Sequence, residues 1–425
     1  MDAVNGNLTI GGCNTIDLAR EFKTPLYVIN EETIRERYKA LETVLKKNYS
    51  KFRIHYATKA NDNINVLRIL KDLGSYIDAV SPGEIFLALK AGFEPEKILF
   101  TGNNYSNDDL HFALEKNIMI NLDARTQIDR LVRLLDAYDS ISNKRPLLSF
   151  RINPEFGGGH HQHTITAGPD VKFGILEPFV IEAYEKAKRN GFTEFGIHTH
   201  IGSGILDIET FEIATDKYLN IIEKLIKELG IKLEFIDFGG GIGIPYKPED
   251  KPLDLEEYAA KIITKFKDKI KDLNLGEPYF CIEPGRYIVA ESTILLTEVN
   301  TIKHSRNKIF VGVNAGFNDL IRPTMYGSYH HVVVANKMDQ KPEEIYQIAG
   351  NLCETGDILA KDRKLPKLEE KDLIAILDAG AYGYTMSSNY NCRLRPAEIL
   401  VHKGQSKLIR KRDSLEDLLK GQIIN

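Results

Sequence analysis

The feature that most constrains this chain is an alternation, between about residue 50 and residue 286, of short apolar runs with stretches of helical periodicity. The runs are RIHYATK (53–59), YIDAVS (76–81), ILFTGN (98–103), IMINLD (118–123), LLSFRIN (147–153), FGIHTHIGS (195–203), FIDFGGG (235–241) and FCIEPGR (280–286). Between them, PGEIFLALKAG, NDDLHFALEKN and LEEYAAKIITKFKDKIKDL repeat apolar residues three and four apart, which gives a helix one apolar face. Eight strand–helix repeats predict a (β/α)8 TIM-like barrel. A doubly wound open sheet would explain the alternation but less readily the number.

The polar residues of these runs gather at their C-terminal ends: Lys59, Asp78, Asn103, Asp123, Asn153, His200, Ser203 and Glu283. That rim of a barrel is where the following loops converge and where active sites sit. A lysine there either offers charge to an anion or serves as an amine that condenses with a carbonyl; desolvation and neighbouring cations favour the second. The plain alternative is a solvated strand-end lysine.

The seventh run ends in DFGGGIGIP (237–245), whose three adjacent glycines let backbone N–H groups approach an anion closely. EPGR (283–286) adds the Gly285 N–H and the Arg286 guanidinium. Loops after the last two strands of such barrels often hold phosphate, so two adjacent loops of this chemistry predict a phosphate site rather than two tight turns. HTHIGSG (198–204) offers a rival: His198 and His200, two apart on a strand, have the spacing of metal ligands. Completing such a site would take Asp123 or one of His160, His161 and His163, and it would leave the glycine loops idle.

Beyond residue 286 the pattern changes to β-branched runs, among them TILLTEVNTI, KIFVGVNA, HHVVVAN, IYQIAGN, LIAILDA and AEILVH, broken by Gly, Asn, Asp and Pro. The expected organisation is a barrel over 33–280 and a mostly β second domain over 281–425, joined by the first 32 residues, where TPLYVIN reads as a strand. A hydrophobic content of 43%, a charged content of 27% and a net charge of -4 are those of a globular protein, and argue against nucleic-acid or membrane-surface binding. With no long apolar stretch and no signal-like start, the expected location is cytoplasmic. Four scattered cysteines without a CxxC pair predict neither a disulfide framework nor structural zinc. One of them, Cys353 in NLCETGD (351–357), stands beside Glu354; a carboxylate neighbour raises a thiol pKa, which suits a proton donor better than a nucleophile.

Taken in order, TPLYVIN, HYATKAN, YIDAVSPGE, HTHIGSG, DFGGGIGIPY, EPGR, IRPTMY, NLCETGD and DAGAYG resemble the fold-type III pyridoxal phosphate-dependent decarboxylases, and most closely their diaminopimelate branch. The resemblance spans nearly the whole chain and implies an alanine racemase-like architecture. It implies that Lys59 carries pyridoxal 5'-phosphate covalently, that His200 stacks on the cofactor ring, and that Glu283 bonds the pyridine nitrogen. By the same resemblance Ser203, Gly239, Gly240, Gly241, Gly285, Arg286 and Tyr382 bind the phosphate, with Asp78 and Glu84 as supporting groups. Cys353 becomes the acid that protonates Cα, reaching the site from the other subunit of a homodimer. Thr355 stands where the family pattern usually has Ser.

The distal end of the substrate can be argued physically. Ornithine presents only a distal cation, whereas diaminopimelate presents an ammonium and a carboxylate. Arg322 and Arg286 suit that carboxylate, Tyr326 and Tyr382 add hydrogen bonds, and Glu354 suits the ammonium. Arg286 discriminates less, because EPGR also occurs in relatives that act on basic amino acids. The expected activity is decarboxylation of meso-2,6-diaminopimelate to L-lysine. The alternatives are a related decarboxylase of ornithine, arginine or carboxynorspermidine, a catalytically silent homologue, and a metal-dependent barrel hydrolase.

Overall fold

The structure is a computed structural model that describes residues 1–137, 145–159 and 161–423, and its chain divides into two compact units. One unit comprises Arg37–Ile244 and Lys251–Tyr287; the other comprises Met1–Glu36, Pro245–Asp250 and Ile288–Asn425.

The first unit is a closed parallel barrel. Its strands are β1 (Phe52–Ala57), β2 (Tyr76–Ala79), β3 (Ile98–Phe100), β4 (Met119–Leu122), β5 (Leu148–Asn153), β6 (Phe195–Thr199), β7 (Leu233–Asp237) and β8 (Tyr279–Ile282). Each pairs in parallel with its neighbours in chain order. The pairing of β4 with β5 and of β8 with β1 completes the ring. Closure leaves no free edge and buries the strands on both faces, which is why LSFRIN of β5 is buried at every residue.

Helices between the strands start and stop where the chain supplies caps. Ser81 accepts from the Glu84 N–H at the start of α2 (Pro82–Ala91), and Gly92, at φ 98°, ends it. In the helix before it, α1 (Ile64–Asp72), Asn63 accepts from the Asn65 N–H. Ser106 and Asp109 form a reciprocal capping box on α3 (Asn107–Glu115).

The apolar runs overshoot the strands. Hydrogen-bonded pairing of β1 with β2 stops at Ala57 opposite Asp78, and Lys59 falls in one turn of 3-10 helix, Thr58–Ala60. The expectation that Lys59 ends a strand is therefore corrected by two residues. Side-chain pattern records which residues are buried, not where ladder bonds cease.

In the second unit the long strand Thr293–His304 is the spine. It pairs antiparallel with Leu26–Asn30, Ile309–Val313 and Leu373–Ile376. Leu26–Asn30 also pairs in parallel with Ala397–His402, so TPLYVIN is a strand of this sheet. Alternate residues of the spine enter two separate cores: Leu295 and Val299 pack with Tyr27, Val311, Ile348 and Ile376, while Ile294 and Leu296 pack with Val28, Ala375 and Ile399. Among the strands that escaped the sequence reading are Ile358–Leu365 and Gln405–Arg410. Both are partly exposed and rich in Lys and Arg, so their apolar pattern is weak.

Candidate active site

Around the end of β1, the Lys59 ammonium lies 2.6 Å from Asp78 Oδ2. Asp78 is fully buried, whereas the lysine side chain keeps 30% of its exposure. Burial alone would push the Asp78 carboxyl up, but the Lys59 charge and hydrogen bonds from Lys59 and Thr101 outweigh it and hold it below its ordinary value. Thr101, just past β3, donates to the other carboxylate oxygen. Glu84 accepts the Val80 N–H at 2.8 Å; burial lifts its carboxyl to about 7, helped by the charge of Asp78.

Glu283, immediately after β8, is 2% exposed. His198 Nε2 is 3.0 Å from its Oε2, and Asn121 Nδ2 lies 3.4 Å from His198 Nδ1. Asn121 can only donate through that nitrogen, which leaves the Nε2–H of His198 to donate to Glu283. Among the described residues, Glu283 Oε1 is buried without a hydrogen-bond partner. Burial, with the charge of Asp78, raises the Glu283 carboxyl despite the histidine. This is a carboxylate prepared for one more donor or cation.

His200 lies one residue beyond β6, so strand alternation does not place it beside His198. Its Nδ1 is 2.7 Å from Thr166 Oγ1. Burial, followed by the positive charges of Lys59 and Arg151, pushes its pKa well down, and the ring is neutral. Among the described residues, no histidine, cysteine or acidic group with metal-ligand spacing includes His200. Asp123, the other ligand of the metal reading, accepts from the Gly174 N–H. His160 lies outside the described residues, as does the side chain of His163; Thr164 donates to the His161 carbonyl.

The glycine loop follows β7. Gly239 adopts φ 69°, and a Cβ there would lie 2.2 Å from the Thr199 carbonyl oxygen. At Gly240 it would lie 2.4 Å from the Glu283 carbonyl oxygen. The loop thus packs backbone against backbone, and its start is pinned by Asp237, whose Oδ1 accepts the Gly239 N–H at 2.8 Å while Oδ2 holds His55 at 3.0 Å. Gly241 continues this loop, and Gly285 packs on Ala57 and Ala60 of the lysine segment. Arg286, 4% exposed, donates through Nε and an Nη to Ser203 Oγ, both at 3.1 Å. The two loops singled out as a phosphate corner meet where the Glu283 N–H donates to the Gly239 carbonyl at 2.8 Å, and the Arg286–Ser203 contact ties EPGR to the loop after β6.

Five sequence-predicted residues belong to the second unit. Arg322 is 1% exposed; its Nη1 donates to His330 at 2.8 Å and its guanidinium lies 4.7 Å from the Tyr246 ring centre. Tyr326 ends the same short helix, Arg322–Tyr326. Cys353 is an exposed free thiol whose backbone N–H donates to Asn391, and Glu354 accepts from the Tyr390 hydroxyl at 3.0 Å. Tyr382 is half-buried, at φ 58°.

The sequence profile of the pyridoxal binding domain of pyridoxal-dependent decarboxylases matches residues 31–290. A diaminopimelate decarboxylase of Methanothermobacter thermautotrophicus is 51% identical over 98% of this chain and 96% of its own, and one of Archaeoglobus fulgidus is 41% identical over 98% and 97%. The solved diaminopimelate decarboxylase of M. jannaschii in complex with L-lysine superposes with a TM-score of 0.92 at 34% identity, covering 100% of this chain and 98% of that one.

The chain belongs to the diaminopimelate decarboxylase family. Its cofactor is pyridoxal phosphate, and the residues present fit that group. Glu283 leaves a buried oxygen open to a protonated ring nitrogen, neutral His200 suits a ring face, and the glycine loop with Ser203 and Arg286 suits a phosphate. Among the described residues, no helix of this family member is long and apolar enough to cross a membrane.

Sequence reasoning missed Thr101, Asn121, Arg151 and Thr166. Arg151 was the most visible, a cation in mid-strand of β5; it is 7% exposed, 4.4 Å from the Phe173 ring centre. His198, which the sequence offered only as half of a rival metal pair, buttresses Glu283.

Proposed function

We propose that the chain decarboxylates meso-2,6-diaminopimelate to L-lysine and carbon dioxide, the last step of lysine biosynthesis. The observation that carries this reading is 51% identity to a curated diaminopimelate decarboxylase along almost the full length of both chains. Bound pyridoxal phosphate supplies an electron sink for the pair left when the carboxylate departs.

In this reading the chain's own residues position and protonate. Lys59 holds the cofactor covalently and Asp78 keeps the amine oriented. Glu283, itself oriented by His198, keeps a proton on the pyridine nitrogen. Ser203, Gly240, Gly241, Gly285, Arg286 and Tyr382 hold the phosphate, and Gly239, whose N–H Asp237 takes, sets the turn that brings the loop to it. Arg322 receives the distal carboxylate, Tyr326 and Tyr382 add hydrogen bonds, and Glu354 receives the distal ammonium. Cys353, supplied by a second copy of the chain in a homodimer, gives the proton to Cα. The place of action is the cytoplasm.

Release of carbon dioxide and formation of lysine, measured with meso-diaminopimelate, ornithine and arginine, test the proposal. Preference for diaminopimelate is expected. Equal or faster turnover of ornithine would refute the substrate assignment.

A further inference from the structure

Arg322 is an unusual substrate ligand, because it is among the largest fully buried side chains of the protein. A buried guanidinium needs partners that fix it, and two of them bear on its orientation. The Tyr246 ring lies 4.7 Å away, and His330, itself 0% exposed, accepts from Nη1 at 2.8 Å. The other histidine nitrogen, Nδ1, is 2.8 Å from the Leu377 carbonyl oxygen. A carbonyl can only accept, so Nδ1 carries the hydrogen and Nε2 offers its lone pair to Arg322. Leu377 immediately follows the strand Leu373–Ile376, which pairs with the spine of the sheet. The guanidinium is thereby referred, through one neutral imidazole, to the end of a strand paired with the spine of this unit's sheet.

We infer that His330 is a specificity-determining positioning residue: its neutral Nε2 holds Arg322 so that the guanidinium fork selects substrates with a distal carboxylate. The inference rests on the reading of Arg322 as the group that receives that carboxylate. His330 does not touch the substrate in this account. It orders Arg322, since an arginine held in one orientation loses less freedom when it binds a carboxylate.

The test compares two inhibitors of the holoenzyme that differ only in the distal carboxylate, 2-aminopimelate and norleucine. Two substitutions separate the roles of the imidazole nitrogens. His330→Asn keeps a donor near the Nδ1 position, for Leu377, but cannot reach Arg322. His330→Gln carries its carbonyl to about where Nε2 stands. In the Asn variant the inhibition constant for 2-aminopimelate should rise about ten- to hundredfold while that for norleucine stays within about twofold, the scale expected when a charge-assisted bond is lost. In the Gln variant most of the preference should return. Equal weakening of both inhibitors in the Asn variant would reduce His330 to a structural role and overturn the inference. So would an unchanged preference in the Asn variant, when Arg322→Gln abolishes it. If Arg322→Gln itself leaves the preference intact, the assignment of Arg322 fails, and the inference with it.

Discussion

Lys59 and Asp78 form a half-buried ion pair: the ammonium sits 2.6 Å from a carboxylate with 0% exposure, two residues beyond the last β1 pairing. The pair holds the amine at the barrel rim while leaving part of the lysine side chain open. Lys59→Ala should abolish covalent cofactor attachment and lower decarboxylation at least about a thousandfold, as expected for loss of a covalent catalyst. It also leaves Asp78 buried without its cation, at a cost of up to about 3 kcal/mol, the lower end for a broken buried pair because the lysine is partly exposed. Turnover assays and denaturant unfolding measure the two effects separately.

Glu283 tests the ring-nitrogen role. Glu283→Gln keeps the size and the contact with His198 but removes the negative charge that would keep a proton on that nitrogen. Turnover should fall about a hundredfold or more while cofactor binding persists, since the contribution is electrostatic. Steady-state rates, with cofactor content read by absorbance, check this.

The Gly239 position tests the loop. Gly239→Ala forces a Cβ to within 2.2 Å of a carbonyl oxygen at a φ of 69°. Affinity for pyridoxal phosphate, measured by titration of the cofactor-free protein, should drop about tenfold or more, because strain of this kind costs 1–3 kcal/mol, roughly one to two decades.

Glu84 predicts a pH signature. Its carboxyl titrates near 7 in the folded chain, against an ordinary value near 4.5. The folded state therefore binds the proton more tightly than the unfolded one, so this group's contribution to stability is full below about pH 4.5 and is lost as pH rises to about 7. Glu84→Gln keeps an acceptor for the Val80 N–H and removes the titration. The difference in unfolding free energy between variant and wild type should move in the variant's favour by up to about 3 kcal/mol across that interval. A difference that does not vary with pH would contradict the assignment.

Cys353 tests the shared site. Cys353→Ala should slow turnover strongly while cofactor uptake persists, and mixing it with Lys59→Ala chains should restore activity in hybrid dimers. Absence of recovery, with subunit exchange demonstrated by mass, would argue against donation across a dimer.

Much of this was legible in the sequence because barrel strands are short, buried and regularly spaced. The period alone gave eight strands, and the polar residue ending each run pointed to the rim. The glycine loop and EPGR were legible for a different reason: backbone approach to an anion demands glycine, and glycine is visible. Side-chain pairing was not legible. Nothing in HTHIGSG says that His198 turns to Glu283 and His200 to Thr166, because the partners come from the segments after β8 and after β5. Nor could the buried state of Arg322 be read, since IRPTMYGSYHH has the composition of an exposed loop. Strand ends were misplaced for the same reason that Lys59 was: apolar pattern continues where ladder bonds have stopped.

The most direct test of the account is borohydride reduction of the holoprotein followed by peptide mapping. The cofactor should be fixed on the peptide carrying Lys59, one adduct per chain. Recovery of the adduct on another lysine, or no adduct in a protein that contains pyridoxal phosphate, would contradict the central claim.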